Sequence, residues 1–472
     1  MHLILGERFE VSFTLKQKPL EYIQRFVCAQ NRNRTCTPLR TTDFESVAST
    51  SSAIWAMGCN ITLNVIFHQN LSCPGLAIAV DQTFECVQPF LISHTAGILA
   101  GNFVNCIKLL TLKIGLIREG KIPADNRVAL TPAQCRWILK SQTGVQITAQ
   151  SSDTRCFSNK EYEMAGVIIS EDLSDCDILF GIKEVPVEML IEGKTYLFFS
   201  HTKKMQPYNQ HLLQEIMRKK ITLIDYECLE HEDGTRIIGF GFFAGIVGAH
   251  NGMRAYGNRT GAFLLDKVNS SKNLQYLIHT YFGLSIPNIK ITLTGSGRVA
   301  HGLQEIMNLM GIHEVEPDQF LTKEFMYPVY VQLKGADLYE NATGKYNRDE
   351  FHAHPERYRC KFAPYLSQTD ILMNGIYWDK GIPRLFEMAD MKRPDFRIKT
   401  IADVTDDYQG SVPCNLGDST IDDPVYGVDK ITGMRTAPYL PGSVDVMAVG
   451  NLPNELPRDA SRYFGEQLIK FV

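Results

Sequence analysis

Residues 288–307 read NIKITLTGSGRVAHGLQEIM, in which an apolar run ends at a cluster of small residues and an amphipathic pattern follows. The apolar run predicts a β-strand, residues 295–300 predict a tight turn, and the remainder predicts a helix that packs on the strand. This order of strand, turn and helix predicts a dinucleotide-binding fold.

The small residues of this turn have separate physical roles. Gly295 allows the chain to turn sharply, Gly297 lets a pyrophosphate approach the backbone, and Ala300 allows close packing of the helix. A pyrophosphate would lie on the helix N-terminus, where backbone N–H groups and the helix dipole favour anions. The turn therefore predicts a nicotinamide cofactor, NAD or NADP. The residues predicted to bind it are Gly295, Ser296, Gly297, Arg298 and Val299.

An acidic residue about twenty positions further on commonly binds the ribose hydroxyls in such folds. Glu316 or Asp318, in the stretch GIHEVEPDQF, fits that spacing. Both could equally be solvated loop charges. We take Glu316 as the candidate.

Composition indicates a large enzyme rather than a nucleic-acid-binding or membrane protein. The chain has 472 residues, of which 44% are hydrophobic and 21% charged, so it can form two or three domains. Its net charge of -4 gives no general basic surface for nucleic acid. No apolar stretch is long enough for a membrane-spanning helix. We expect small-molecule partners and a cytoplasmic location.

The first 112 residues differ from the rest. They lack sustained periodicity, contain the polar run QNRNRTCTPLRTTDFESVASTSS at residues 30–52, and hold six of the 12 cysteines without CxxC pairs. Neither part of the chain has a zinc-ligand pattern, so we expect no metal and reduced thiols. Residues 1–112 are interpreted as a disordered extension or the product of a start codon assigned too early; the alternative is an accessory domain.

Regular alternation of strand and helix patterns begins near Lys113 and predicts an α/β fold. Two short apolar strands end at ionisable residues, one at Lys183 and one at His201. Ligands of open α/β sheets bind beyond such carboxyl ends. The alternative is that Lys183 begins a solvated loop and that His201 is one of 12 unremarkable histidines.

Several motifs resemble one enzyme family. LFGIKEVP, KTYLFFSHTKKMQ, GFGFFAGIVGAHNGMRAYG and GNLPNELP are similar to motifs of the lysine-forming saccharopine dehydrogenases, and of the lysine-ketoglutarate reductase domain of the aminoadipic semialdehyde synthases. The stretch RVALTP is shared with a wider group that includes alanine dehydrogenase and the nicotinamide nucleotide transhydrogenase.

The resemblance implies that the protein interconverts saccharopine with L-lysine and 2-oxoglutarate using NAD(P)(H), through an imine and hydride transfer. Lys183 and His201 match the family's catalytic acid and base. The resemblance implies substrate-binding roles for Asp125, Arg127, Lys204, Gln206 and Arg254. It implies that Ile376, Asp403 and Val404 lie beside the cofactor.

The fold implied is α/β, with two Rossmann-like domains separated by a cleft. Residues 113–253 would form the substrate domain, completed by residues 410–472, and residues 254–409 would form the dinucleotide-binding domain. Two other functions stay open: an alanine dehydrogenase-like oxidoreductase that uses ammonia, and a nicotinamide-binding sensor without turnover.

Overall fold

The computed structural model describes residues 111–205, 207–232 and 234–471. Within residues 1–110 it describes the backbone of four strands that pair antiparallel in one sheet. These strands are β1 (His2–Ile4), β2 (Glu10–Leu15), β3 (Ser51–Ala56) and β4 (Cys59–Ile66). The prediction for residues 1–112 otherwise lies outside the described residues.

The described chain divides into two units. Among the described residues, the first holds residues 111–121, Thr131–Asp153 and Phe157–Asp225, and the second holds Ile122–Leu130, Thr154–Cys156 and residues 226–471. The predicted domain boundary at residues 253 and 254 falls inside a helix of the second unit. No helix among the described residues is both long enough and apolar enough to span a membrane.

The first unit contains a six-stranded sheet in which every neighbouring pair is parallel, in the order β10-β9-β8-β5-β6-β7. Its strands are β5 (Leu112–Leu116), β6 (Val145–Ala149), β7 (Ile168–Ile169), β8 (Ile178–Phe180), β9 (Thr195–Phe198) and β10 (Thr222–Asp225). Its helices are α1 (Pro132–Ser141), α2 (Asn159–Met164) and α3 (Gln210–Arg218). The strand order reverses between β5 and β8, so the ligand site is expected beyond their carboxyl ends.

The start of α1 follows from its sequence. Thr131 is the N-cap, and its hydroxyl accepts the Gln134 backbone N–H while the Gln134 side chain accepts the Thr131 N–H. Pro132 occupies the first turn, where its missing N–H costs no helical hydrogen bond. These two residues explain why the helix begins at Pro132.

The second unit contains an eight-stranded sheet in the order β12-β13-β11-β16-β17-β20-β18-β19. Its strands are β11 (Lys290–Thr294), β12 (His313–Glu314), β13 (Val329–Leu333), β16 (Ile371–Asn374), β17 (Thr400–Asp403), β18 (Val425–Asp429), β19 (Arg435–Thr436) and β20 (Ser443–Met447). Its helices are α4 (Gly241–Thr260), α5 (Leu274–His279), α6 (Arg298–Leu309), α7 (Pro317–Thr322), α8 (Arg348–Ala353) and α9 (Pro457–Leu468). A separate hairpin is formed by β14 (Tyr339–Asn341) and β15 (Tyr358–Cys360). The α/β prediction is confirmed.

The strands of the C-terminal segment lie in the second sheet. β20 is wholly buried and pairs parallel with β17, and β18 and β19 extend the sheet antiparallel. The sequence prediction instead assigned residues 410–472 to the first domain. The pairing gives the reason for the difference, because β20 completes the hydrogen-bond ladder of β17 and a buried strand needs such a partner.

Two helices of the second unit touch through glycine. A methyl group at Gly302 of α6 would overlap the Phe242 carbonyl oxygen and lie 2.9 Å from the Cα of Gly245 in α4. Only residues without a side chain allow this approach. The close approach of α4 and α6 therefore depends on glycine at positions 245 and 302. Ala300 of α6 is also buried.

Candidate functional site

The carboxyl ends of β5 and β8 bring Glu119 to the turn that carries Lys183. The Glu119 carboxylate accepts the backbone N–H of Ile182 at 2.6 Å and that of Lys183 at 2.9 Å. Two backbone donors on one carboxylate fix the path of the chain as it leaves the strand. The structure therefore places Lys183 beyond the carboxyl end of a strand, as the sequence predicts, and this strand borders the reversal point of the sheet.

Glu184 joins this turn to His201. Its Oε1 lies 2.6 Å from Nδ1 of His201, and its Oε2 accepts a hydrogen bond from Nζ of Lys121 at 2.8 Å. Burial favours a higher pKa for Glu184, but the hydrogen bonds from His201 and Lys121 outweigh it and lower the pKa to about 2. Glu184 is therefore ionised at neutral pH.

An ionised carboxylate can only accept hydrogen bonds, so Nδ1 of His201 must donate to Glu184. The neutral imidazole then carries its proton on Nδ1, and Nε2 is the atom that can take a proton from a bound substrate. This arrangement is suited to general acid–base chemistry.

The backbone of His201 has a left-handed conformation, with φ of 53°. That region is uncommon for residues other than glycine and is found most often where the surroundings impose it. Here Oγ of Ser200, which donates to Asp225 at 2.5 Å, also accepts the Thr202 backbone N–H at 3.1 Å. These contacts hold the strained residue, which is the third after the end of β9.

Sequence reasoning missed Glu119, Lys121 and Glu184. All three follow strand ends that meet at one edge of the parallel sheet, since Glu119 and Lys121 come after β5 and Glu184 comes after β8. Their positions after strands were visible in the sequence. Their pairing was not, because it depends on which strands are neighbours.

Arg127 and Asp125 form a buried pair in the second unit. Nε and Nη2 of Arg127 donate to the two Asp125 oxygens at 2.9 and 2.5 Å, and both residues are at most 3% exposed. The guanidinium also lies over the Phe240 ring, 4.2 Å from its centroid. The prediction placed both residues in the substrate domain, whereas the loop at residues 122–130 packs with the second unit.

Of the other residues predicted to bind substrate, the structure describes the side chain of Arg254 only. Arg254 lies on α4, half-buried, and its Nε donates to the carbonyl of Leu265 at 3.2 Å. The side chain of Lys204 and all of Gln206 lie outside the described residues. Their predicted roles stay predictions.

The turn after β11 fits a pyrophosphate. Gly295 has φ of 101°, and a Cβ there would meet the Gly375 backbone, so the position requires glycine. A Cβ at Gly297 would have no atom within 4 Å. The φ of Gly297 is -87°, which any residue can adopt. Ser296 and Gly297 are exposed at the start of α6, where no side chain caps the helix. Open space beside uncapped N–H groups suits an anion.

The next two predicted residues make contacts within the protein. Nη2 of Arg298 donates to the backbone carbonyls of Arg236 and Ile237, the latter at 3.0 Å. Val299 lies beside Gly241 of α4, 3.5 Å from the position of a Cβ there. The Arg298 side chain therefore ties the start of α6 to the preceding segment.

Glu316 is separated from β11 by one strand, and its predicted role in ribose binding stays a prediction. It follows β12, and β13 lies between β12 and β11. The strand beside β11 ends at Leu333, whose carbonyl accepts the Gly295 N–H at 2.9 Å. The next residue, Lys334, is exposed. Lys334 therefore follows the strand next to β11, which is where a ribose-binding residue is expected in such folds.

The three residues predicted on the nicotinamide side are buried. Asp403 is 1% exposed and accepts hydrogen bonds from Asn374 at 2.8 Å and Asn415 at 2.9 Å; burial raises its pKa. Val404 packs against Gly248 of α4, and Ile376 belongs to the apolar core. These contacts fix the loops after β16 and β17.

The comparisons with known proteins agree with this fold. Residues 115–247 match the family model described as "Alanine dehydrogenase/PNT, N-terminal domain". This stretch is similar to that domain. The structure of an L-alanine dehydrogenase superposes with a TM-score of 0.51 at 15% identity, covering 76% of this chain and 88% of that one, which shows the shared fold.

The matches to relatives by sequence extend beyond residues 115–247. The mitochondrial alpha-aminoadipic semialdehyde synthase of Rattus norvegicus is 31% identical over 405 residues, which are 76% of this chain and 43% of that protein. The saccharopine dehydrogenase [NAD(+), L-lysine-forming] of Neurospora crassa is 26% identical over 367 residues, 73% of this chain and 86% of that protein. The predicted relationship is confirmed, and the chain spans less than half the length of the synthases.

Proposed function

We propose that the protein is an oxidoreductase that interconverts saccharopine with L-lysine and 2-oxoglutarate using a nicotinamide cofactor. The observation that carries the proposal is the Glu184–His201 pair beside Lys183 at the reversal point of the first sheet. The names of the relatives supply the substrates. The buried pair of Arg127 and Asp125 adds a cation suited to a carboxylate substrate.

In the proposed reaction, the lysine side-chain amine attacks the keto carbon of 2-oxoglutarate, water leaves, and the imine carbon is reduced. The cofactor supplies the hydride. The protein moves protons on the substrate nitrogen and on the oxygen that leaves as water. Nε2 of His201 performs one of these transfers, because Glu184 holds the ring proton on Nδ1. Lys183 performs the other, on a backbone turn fixed by Glu119.

The residues of the turn after β11 would hold the cofactor, with the pyrophosphate at the N-terminus of α6. Lys334 favours NADP(H), because an ammonium group at the ribose position attracts a 2′-phosphate. Replacing Lys334 with Glu should lower the ratio of kcat/KM for NADPH to that for NADH by at least about tenfold. Lys345→Glu, at an exposed position of the same unit, is the control. An unchanged ratio would remove Lys334 from cofactor choice.

The experiment that tests the proposal follows absorbance of NADH or NADPH on mixing enzyme with 2-oxoglutarate and lysine. Parallel reactions contain ornithine, or ammonia with pyruvate. Turnover that requires lysine supports the proposal. Turnover of pyruvate with ammonia would instead indicate an alanine dehydrogenase-like enzyme, and nucleotide binding without any turnover would indicate a sensor.

A further inference from the structure

The GNLPNELP motif contacts the loop that carries Arg127, within the second unit. Nη2 of Arg127 donates to Oδ1 of Asn451 at 2.8 Å, and Nδ2 of Asn451 donates to Oδ2 of Asp125 at 3.2 Å. One amide therefore bonds to both members of the buried ion pair. Only a side chain with a donor and an acceptor can do this.

The same motif fixes the loop backbone around Arg127. The Asn126 N–H donates to Oδ1 of Asn454 at 2.8 Å, and Nδ2 of Asn454 donates to the Ala124 carbonyl at 3.2 Å. Further along, the Val128 N–H donates to the Ser461 hydroxyl at 2.9 Å. Asn454 and Ser461 hold the backbone, so the orientation of the guanidinium is left to its side-chain partners.

The direction of the Arg127 guanidinium follows from these bonds. Among the described residues, its hydrogen bonds use Nε and Nη2, and the fork is held in one plane by Asp125 and by the Phe240 ring. Nη1 then remains for a bound carboxylate. If the guanidinium turned while it kept its hydrogen bonds to Asp125, the hydrogen bond from Nη2 to Asn451 would break. Asn451 therefore selects one orientation of a buried cation.

We propose that Asn451 is a positioning residue that directs Nη1 of Arg127 towards a carboxylate of the oxo-acid substrate. The proposal rests on the proposed function, in which Arg127 is a cation for a substrate carboxylate, and it assigns that carboxylate to 2-oxoglutarate. It assigns to the GNLPNELP motif a part in substrate affinity as well as in folding.

The test compares Asn451→Ala and Asn451→Asp with a matched control, Asn258→Ala. Asn258 is a half-buried asparagine of the same unit whose Nδ2 donates to the Tyr439 hydroxyl at 3.3 Å. Asn451→Asp is nearly isosteric, keeps the acceptor for Arg127 and turns a carboxylate oxygen towards Asp125 in place of the donor. Asn451→Asp can therefore test the proposal if the alanine variant does not fold.

Steady-state kinetics should show a KM for 2-oxoglutarate raised by at least about tenfold in both Asn451 variants, since small misplacement of a binding group is costly. The KM for lysine and the affinity for nucleotide should change by less than about threefold. A KM for 2-oxoglutarate equal to that of Asn258→Ala would overturn the proposal. So would a uniform loss in every constant, which is the result of a purely structural role.

Calorimetric binding of 2-oxoglutarate to the nucleotide complex separates this proposal from the proposed function. If wild-type protein binds 2-oxoglutarate without turning over, the reaction is wrong, but weaker binding to Asn451→Asp would still support the positioning role. If both proteins bind equally, Asn451 has no such role. Absence of binding to wild-type protein would contradict both proposals.

Discussion

Replacing Glu184 with Gln tests how much the carboxylate contributes to the site. Gln keeps the shape and one oxygen but loses the charge, so it cannot accept from both His201 and Lys121 as the carboxylate does. The side chain of Glu184 is 11% exposed, so solvent screens the interaction only partly. The substitution therefore removes a charged, largely buried acceptor from the imidazole.

The magnitude follows from the pKa of Glu184, which is lowered from 4.5 to about 2. That difference corresponds to about 3 kcal/mol of preference for the ionised form in the folded protein. Because the pKa is lowered, this stability is present above pH 4.5 and is lost as the pH falls through 2. Urea unfolding should show a deficit of about 1–3 kcal/mol in the variant at pH 7 and a smaller deficit at pH 3.

Catalysis should fall as well. Loss of a charge-assisted hydrogen bond of about 1.5–3 kcal/mol lowers kcat/KM by about ten- to a hundredfold. Glu171→Gln is the control, because its 3.0 Å pair with Arg118 is largely exposed and contributes at most about 1 kcal/mol. The assay measures initial rates of NAD(P)H loss with lysine and 2-oxoglutarate. A kcat/KM for Glu184→Gln within about twofold of the control would refute the role given to Glu184.

Two further predictions concern the second unit. Gly297→Ala should leave the free energy of unfolding within about 0.5 kcal/mol of wild type but should weaken nucleotide binding in a fluorescence titration. Gly302→Ala should instead lower the thermal midpoint, because the added methyl group clashes with the Phe242 carbonyl. If Gly297→Ala binds nucleotide as tightly as wild type, this turn is not the pyrophosphate site. Burial lowers the pKa of His250 from 6.5 to about 4. The free energy of unfolding should therefore be highest above pH 6.5 and should fall by about 3 kcal/mol as the pH falls to 4, because the unfolded state binds a proton there more readily than the folded state. Urea unfolding of wild type and His250→Gln between pH 7 and 4.5 checks this, and equal slopes for the two proteins would contradict it.

The sequence predicted the strand ends well because each end is marked by the residues next to it in the chain. The apolar runs before Lys183, His201 and Gly295 are short and are bounded by polar residues or glycine, and such boundaries predict where strands stop. In the structure, Lys183, His201 and Gly295 each lie within three residues after the end of a strand. The N-cap Thr131 is a similar local case.

The sequence could not predict strand neighbours. β12 has only two residues and lies outside β13, so spacing along the chain pointed to Glu316 while the register places Lys334 beside Gly295. The parallel pairing of β20 with β17 joins strands that are separated along the chain by β18 and β19. The contacts of Glu184 and Asn451 likewise depend on which strands and loops meet, and no local pattern encodes that.

The most direct test of the central claim is the fate of the lysine side-chain nitrogen. Enzyme is incubated with 2-oxoglutarate, reduced cofactor and lysine labelled with ¹⁵N at the ε-position, and the product is analysed by mass spectrometry. The proposed function predicts a saccharopine ion that contains the carbons of both substrates and retains the label. Formation of glutamate or alanine without lysine carbon, or the absence of a condensed product while nucleotide binds, would contradict it.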